Sequence, residues 1–193
     1  MKIERIRPEE IERRSFEIIT DLLGEQQPPD ETAHIVKRVI HTTADLEYAE
    51  TLYFSENAAQ ILSQALAEGA HIVTDTQMAL SGINKKTLAA FGGQVHCFMA
   101  DEDVARQARE RGVTRACVSM EKAATLSVPL IFAIGNAPTA LLRLDELVRE
   151  GTVRPRLIIG VPVGFVNVVQ SKERIMNAGV PCIVAKGRKG GSN

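Results

Sequence analysis

Apolar residues recur at helical spacing through the first third of the chain, then give way to short apolar runs separated by amphipathic stretches. Pro8 followed by Glu9 and Glu10 marks a helix start, because proline suits the first turn and acids complement the positive end of the dipole. Ile11, Ile18, Ile19, Leu22 and Leu23 then form an apolar stripe that Gly24 terminates. Ser15 lies on that stripe, one turn from both Ile11 and Ile19, and is expected to face inward. A hydroxyl bonding back to its own helix accounts for it without any ligand. After the loop QQPPD, Asp30 is expected to cap a second helix running to about His41, with Ile35 and Val39 as its apolar edge. His34, Arg38 and His41 fall at i, i+4 and i+7, a single stripe along that helix. A third helix is predicted over residues 55–68, with Ala58, Ile61, Leu62, Ala65 and Leu66 inward.

From there, runs rich in β-branched residues at 71–74, 94–99, 129–134, 156–161 and 180–185 predict strands. Between them lie predicted helices at 85–91, 101–111, 115–126, 139–150 and 167–177. Such alternation implies an α/β fold: a doubly wound, mostly parallel sheet of about five strands, preceded by a helical N-terminal segment. No repeat, low-complexity tract or linker interrupts it, so residues 1–193 are expected to form a single domain.

Composition narrows the class. Hydrophobic residues make up 45% and charged ones 24%, which is globular rather than disordered. A formal net charge of -1 argues against a nucleic-acid footprint spread over the surface. Cys97, Cys117 and Cys182 have no paired spacing and are expected to be buried thiols in a reducing compartment. The charged N-terminus lacks the apolar core of a signal peptide, and no apolar run approaches the roughly 20 residues that span a bilayer. A soluble cytoplasmic protein with neither a nucleic-acid nor a membrane partner is expected.

In open α/β sheets, ligands lie outside the carboxyl ends of the strands. The segments following the predicted strands are unusual: TDTQMALSGINK, GNAPTAL, GVPVGFVN and KGRKGGSN. Their glycines let backbone approach a ligand, and helix N-termini offer N–H groups to anions. No P-loop and no GxGxxG is present, so a nucleotide-binding module lacks its usual fingerprint. No nucleophile elbow or paired-cysteine chemistry appears, and the four histidines show no metal-ligand spacing. His41 stands out, with Arg38 one turn before it and the hydroxyls of Thr42 and Thr43 just after. Two readings remain open at this point: a general acid–base, or a histidine bonding the last carbonyls of its helix.

The segments RSFEII, KRVIHTTAD, TDTQMALSGINK, GNAPTALLRL, GVPVGFVNVVQSKE and GRKGGS, in this order, resemble the precorrin-8X methylmutases of cobalamin biosynthesis, from about Arg7 to the last residue. The resemblance implies an isomerase that moves a methyl group from carbon 11 to carbon 12 of a corrinoid macrocycle, giving cobyrinate or hydrogenobyrinate. It implies a homodimer, His41 as proton donor and acceptor, and Ser15 and Arg38 as substrate-binding residues. No cofactor is implied, and cobalt, if present, belongs to the substrate. TDTQMALSGINK, HTTAD and the lysine of GRKGG look more like the cobalt-precorrin-8 branch than the metal-free one. Members usually continue past GRKGGS into a last helix, whereas this sequence ends at Asn193.

A flat, partly apolar polycarboxylate needs apolar walls, cations at the rim and backbone donors. Thr42, Thr43, Lys85, Arg115 and Asn136 are candidate substrate contacts on this basis, and Lys186, Arg188 and Lys189 lie on a loop that fits the same need. Two alternatives remain beside the isomerase: a non-catalytic corrinoid-binding carrier, and a nucleotide- or phosphate-binding α/β module.

Overall fold

Short runs of β-branched and aromatic residues build the sheet in the computed structural model, which describes residues 4–192. Asn193, the last residue of KGRKGGSN, lies outside the described residues. The backbone groups into two compact units, Met1–Leu52 and Tyr53–Asn193.

In the first unit a 3-10 turn (Pro8–Glu10) leads into α1 (Ile11–Leu23), which Gly24 ends at φ 52. Then come α2 (Asp30–Thr43) and the single turn α3 (Tyr48–Thr51). Two details differ from the sequence reading. Pro29 takes the N-cap position, so Asp30 is the first helical residue and acts on the dipole rather than as a side-chain cap. The buried edge of α2 is Val36 and Ile40, with Ile35 and Val39 only half-buried. On α1, Ile19 and Leu23 are buried while Ile11, Ile18 and Leu22 remain exposed. One neighbouring helix covers the middle of an apolar stripe and leaves its flanks open.

From β1 (Leu52–Phe54), whose last two residues open the second unit, the chain alternates α4 (Ala58–Ala67), β2 (His71–Thr74), α5 (Gln77–Gly82), α6 (Lys85–Ala90), β3 (Val95–His96) and α7 (Glu102–Arg111). It continues with α8 (Arg115–Ala123), β4 (Leu130–Ile134), α9 (Pro138–Arg149), β5 (Leu157–Gly160), α10 (Val168–Met176) and β6 (Cys182–Ala185). The sheet order is β1-β6-β5-β4-β2-β3, and the β2–β3, β2–β4, β4–β5 and β5–β6 pairs are parallel. The five expected strands are all present. The sixth, β1, joins the β6 edge, where Ser55 N–H donates to the Cys182 carbonyl at 2.9 Å.

Neighbouring residues on each central strand go to opposite faces. Phe132, Ile158 and Val184 pack with Met120, Leu141, Leu144 and Ile175 from α8, α9 and α10. Ile131, Leu157 and Ile183 pack with Ala58 and Ala65 of α4. Burial on both faces is why these strands read as unbroken apolar runs. Each such side chain contributes roughly 1.5–3 kcal/mol through burial.

Chain order reverses between β2 and β4: β3 lies outward of β2 on one side, and β4, β5 and β6 run away on the other. The carboxyl ends of β2 and β4 therefore flank the switch point, where α/β sheets place ligands. Among the described residues no helix is long and apolar enough to cross a membrane. The three thiols are free; Cys182 is buried as expected, but Cys97 and Cys117 are only half-buried.

Candidate functional site

Ser15 and His41 come together in the first unit. They line a pocket of about 290 Å³ with Ile18, Ile19, Leu22, Ile40, Ala44 and Leu46. The pocket exists because α1 leaves Ile18 and Leu22 uncovered and because α2 stops beside them, Ala44 adopting a left-handed φ of 55. Its walls are aliphatic and its two polar groups are a hydroxyl and an imidazole.

Phe16 connects His41 to Arg38. The His41 ring stands edge-on to Phe16, with centroids 5.6 Å apart and an interplanar angle of 85°. The Arg38 guanidinium lies 4.9 Å from the centroid of the same phenyl ring. Arg38 also forks onto Glu12, at 2.9 and 2.7 Å to its two carboxylate oxygens. That hydrogen-bonded pair holds the Glu12 carboxyl below its ordinary range and the Arg38 guanidinium above its own. Both partners are about half exposed, so the pair contributes little to stability; it keeps a two-oxygen acceptor on Arg38.

His41 lies exposed in the last turn of α2, its ring against Phe16, and among the described residues it hydrogen-bonds no helix carbonyl. Ser15 donates to the Ile11 carbonyl at 2.9 Å, the local bond expected from its position. Thr42 and Thr43 likewise donate to the Arg38 and Val39 carbonyls, at 3.0 and 2.8 Å.

In the second unit the switch point carries a cavity of about 380 Å³. It is lined by Met78, Ala79, Gly82, Ile83, Ala133, Gly135, Ile159, Val161, Gly191 and Ser192. Asp75, at the end of β2, is 1% exposed and accepts three backbone N–H bonds, from Gly135 (2.9 Å), Asn136 (2.9 Å) and Ala137 (2.6 Å). These donors lead into α9, whose first residue, Pro138, has no N–H, so the carboxylate pairs the backbone up to and including the N-cap, Ala137. The glycines expected to admit a ligand admit other backbone instead. A Cβ at Gly135 would lie 2.6 Å from the Gly191 carbonyl, and one at Gly190 would collide with the carbonyls of Val161 and Pro162. Behind the wall, Thr76 donates to Oγ of the lining residue Ser192 at 3.0 Å.

Lys85, Arg115 and Asn136 do not line this cavity. Lys85 donates to the Leu80 carbonyl at 2.8 Å, Arg115 is exposed at the start of α8, and Asn136 is exposed with its N–H on Asp75. Glu12, Phe16, Asp75 and Lys172 were not singled out in sequence. Phe16 and Glu12 had a local signal, being one turn apart on the face of α1 next to Ser15.

Lys172 is 1% exposed on α10 and donates to the Gly187 and Lys189 carbonyls at 2.9 and 2.8 Å, holding the C-terminal loop in place. Burial pushes its ammonium down to about 8. In the unfolded chain it titrates near 10.5, so between those values the unfolded chain binds more protons and stability rises with pH. The penalty of the buried charge is fully present below pH 8 and relieved above pH 10.5. Wild-type stability relative to Lys172→Met is therefore expected to increase by about 2–3 kcal/mol from pH 7 to pH 10.5. Urea unfolding of both proteins across that range measures it, and a flat difference would contradict the assignment.

The family model for precorrin-8X methylmutase matches residues 10–193. The cobalt-precorrin-8 methylmutase of Priestia megaterium is 44% identical, the match covering 97% of this chain and 83% of that protein. The cobalt-precorrin-8 methylmutase of Salmonella typhimurium is 45% identical, covering 96% of this chain and 90% of the relative. A crystal structure of precorrin-8X methylmutase from Thermus thermophilus superposes with a TM-score of 0.85 at 38% identity, over 95% of this chain and 90% of that one.

Proposed function

The chain belongs to the precorrin-8X methylmutase family, and from that membership we propose that it is an isomerase of cobalamin biosynthesis, moving a methyl group from carbon 11 to carbon 12 of a corrinoid macrocycle. The relatives above are named as methylmutases, which leaves the carrier reading without support. Both curated relatives are named for the cobalt-containing substrate, which favours cobalt-precorrin-8 as substrate and cobyrinate as product. The matched model runs through both units, in keeping with one methylmutase domain.

The observation that carries the reading is the pocket that joins Ser15 and His41, with Arg38 one phenyl ring away. Protonation of the conjugated macrocycle makes a delocalised cation and lowers the barrier to migration. His41 supplies that proton near ring C and takes it back once the methyl has moved, so atoms and charge balance within one substrate. A positioned acid–base group typically contributes about 10²–10⁴-fold, which fits a reaction that needs no cofactor. Cobalt, where present, is part of the substrate.

Arg38 binds a peripheral carboxylate. A carboxylate of the substrate offers the same two oxygens as Glu12 and replaces it at the guanidinium. Ser15 turns its hydroxyl from the Ile11 carbonyl to the ligand. Thr42, Thr43, Lys85, Arg115 and Asn136 are proposed as further substrate contacts. Homodimerisation and a cytoplasmic location belong to the same proposal.

Arg38→Ala is expected to bind product about tenfold more weakly with the fold retained, because the residue is half exposed and loses a forked, charge-assisted contact. Titration of the variant with cobyrinate checks this, and unchanged affinity would remove Arg38 from the site. The reading as a whole is tested by incubating the protein with cobalt-precorrin-8 and with its metal-free counterpart under spectroscopic observation. Conversion is expected, faster with cobalt; if neither spectrum changes, the assignment fails.

A further inference from the structure

His71 and His96 take no part in the proposed mechanism, yet they meet at the outer edge of the sheet. His71 opens β2, and His96 closes β3, the outermost strand and only two residues long. The register sets Ile72 beside Val95 and Val73 beside His96. His71 Nδ1 lies 2.9 Å from His96 Nε2, and both residues are half-buried. At that distance one ring donates its N–H to the lone pair of the other.

A strand this short makes few ladder bonds, so the imidazole bond is a large share of its attachment. Ile72 N–H donates to the Gln94 carbonyl at 2.8 Å. The Thr74 hydroxyl is shared between the carbonyls of Thr76 and His96, at 3.1 and 3.3 Å.

The surroundings offer the pair no counter-charge. His96 stacks on Phe98, with centroids 5.8 Å apart, and Lys122 Nζ of α8 lies 5.5 Å from the Phe98 centroid. Lys122 is itself bonded to Asp101, ahead of α7, and to Asp103 within it. On the other side of β2, β4 (LIFAI) carries no titratable group, and neither does α5 (QMALSG). Cys97, next after His96, is a free thiol. Among the described residues no carboxylate bonds either imidazole.

Such a pair accepts one extra proton and not two. A proton on the outer nitrogen of the donor ring leaves the N–H···N bond in place. A second proton converts the acceptor lone pair into an N–H, so two donors and two positive charges face each other across 2.9 Å. Burial, and then the charge of His71, hold the His96 imidazole below its ordinary range. Below the unfolded value of 6.5 the unfolded chain therefore binds more protons than the folded one. The attachment is fully present above that pH and is lost as pH falls through the folded range.

We propose that the His71–His96 pair is an acid-operated clasp that releases the edge strand β3 when both rings are protonated. Release uncovers the edge of β2, whose backbone donors and acceptors then lack partners. The device is independent of the methylmutase reading.

Hydrogen exchange read by mass spectrometry, corrected for intrinsic rates, compares wild type and His96→Phe at about pH 7.5 and about pH 5, on either side of the histidine range. Phenylalanine retains a ring against Phe98 and takes up no proton. In the wild type, Ile72 and residues 94–98 are expected to lose about tenfold or more in protection at the lower pH, while β4 retains its own. In His96→Phe the same segments should change less than about twofold. Lys122 holds the Asp103 carboxyl below its ordinary range, so that ion pair stays charged at both pH values. Histidine ring ¹⁵N spectra of the wild type assign the cause independently of whether the variant folds: both rings should be doubly protonated where protection is lost. Unchanged wild-type protection, an equal loss in His96→Phe, or a loss shared by β4 would overturn the proposal. So would a lone pair retained on either ring at the pH where β3 opens.

Discussion

His41→Ala is expected to slow methyl migration by roughly 10²–10⁴-fold, the contribution of one positioned acid–base group, while leaving the protein folded. The stability half follows from where the residue sits. His41 is in the last turn of α2 and exposed, and the helix is anchored through Val36 and Ile40 on another side. Alanine is a better helix former than histidine. Against that stands the edge-on contact with Phe16, worth about 1 kcal/mol. The two nearly offset, so thermal unfolding should move by only a few degrees. Initial rates with cobalt-precorrin-8, set beside a melting curve, separate chemistry from folding. Turnover near the wild-type rate in a folded variant would exclude His41 as the proton carrier.

Asp75→Ala is expected to have the largest effect on stability, a loss of about 3–5 kcal/mol. The carboxylate is buried and accepts from three consecutive N–H groups ahead of Pro138. Its removal orphans all three donors together. Asp75→Asn retains one acceptor oxygen but turns N–H groups toward the donors, so it should recover only part of the loss. Urea midpoints at neutral pH report both variants. An alanine variant within about 1 kcal/mol of wild type would mean that water satisfies the donors, and that the switch-point cavity does not depend on Asp75.

Most of the fold was legible because the central strands are covered on both faces. Residues 129–134, 156–161 and 180–185 stood out as continuous apolar runs bounded by glycine and proline. What escaped was short. Leu52–Phe54 has too few residues to show a period and becomes a strand only beside β6. Gln77–Gly82 contains serine and glycine and read as loop; Thr76, accepting from Ala79 N–H, starts the helix.

The candidate site divides in the same way. The stripe of Arg38 and His41, and the position of Ser15 one turn from Ile11, follow from helical spacing and needed no tertiary information. The partners did. Glu12 meets Arg38 across 26 residues, and Asp75 reaches donors 60 to 62 residues away. Lys172, within the polar run QSKER, looks like a solvated helix face, and only the returning C-terminal loop buries it. Spacing alone also left His41 between two readings; the family resemblance supplied the chemistry, and the structure adds the ring's place beside Phe16.

The central claim concerns one carbon atom. Cobalt-precorrin-8 carrying a ¹³C-methyl group at carbon 11 is incubated with the wild-type protein and with His41→Ala, and the label is followed by carbon NMR. The resonance should move to the position of a methyl on carbon 12 with the wild type and remain in place with the variant over the same interval. A label that stays on carbon 11 with the wild type, or migrates equally fast with both proteins, would contradict it.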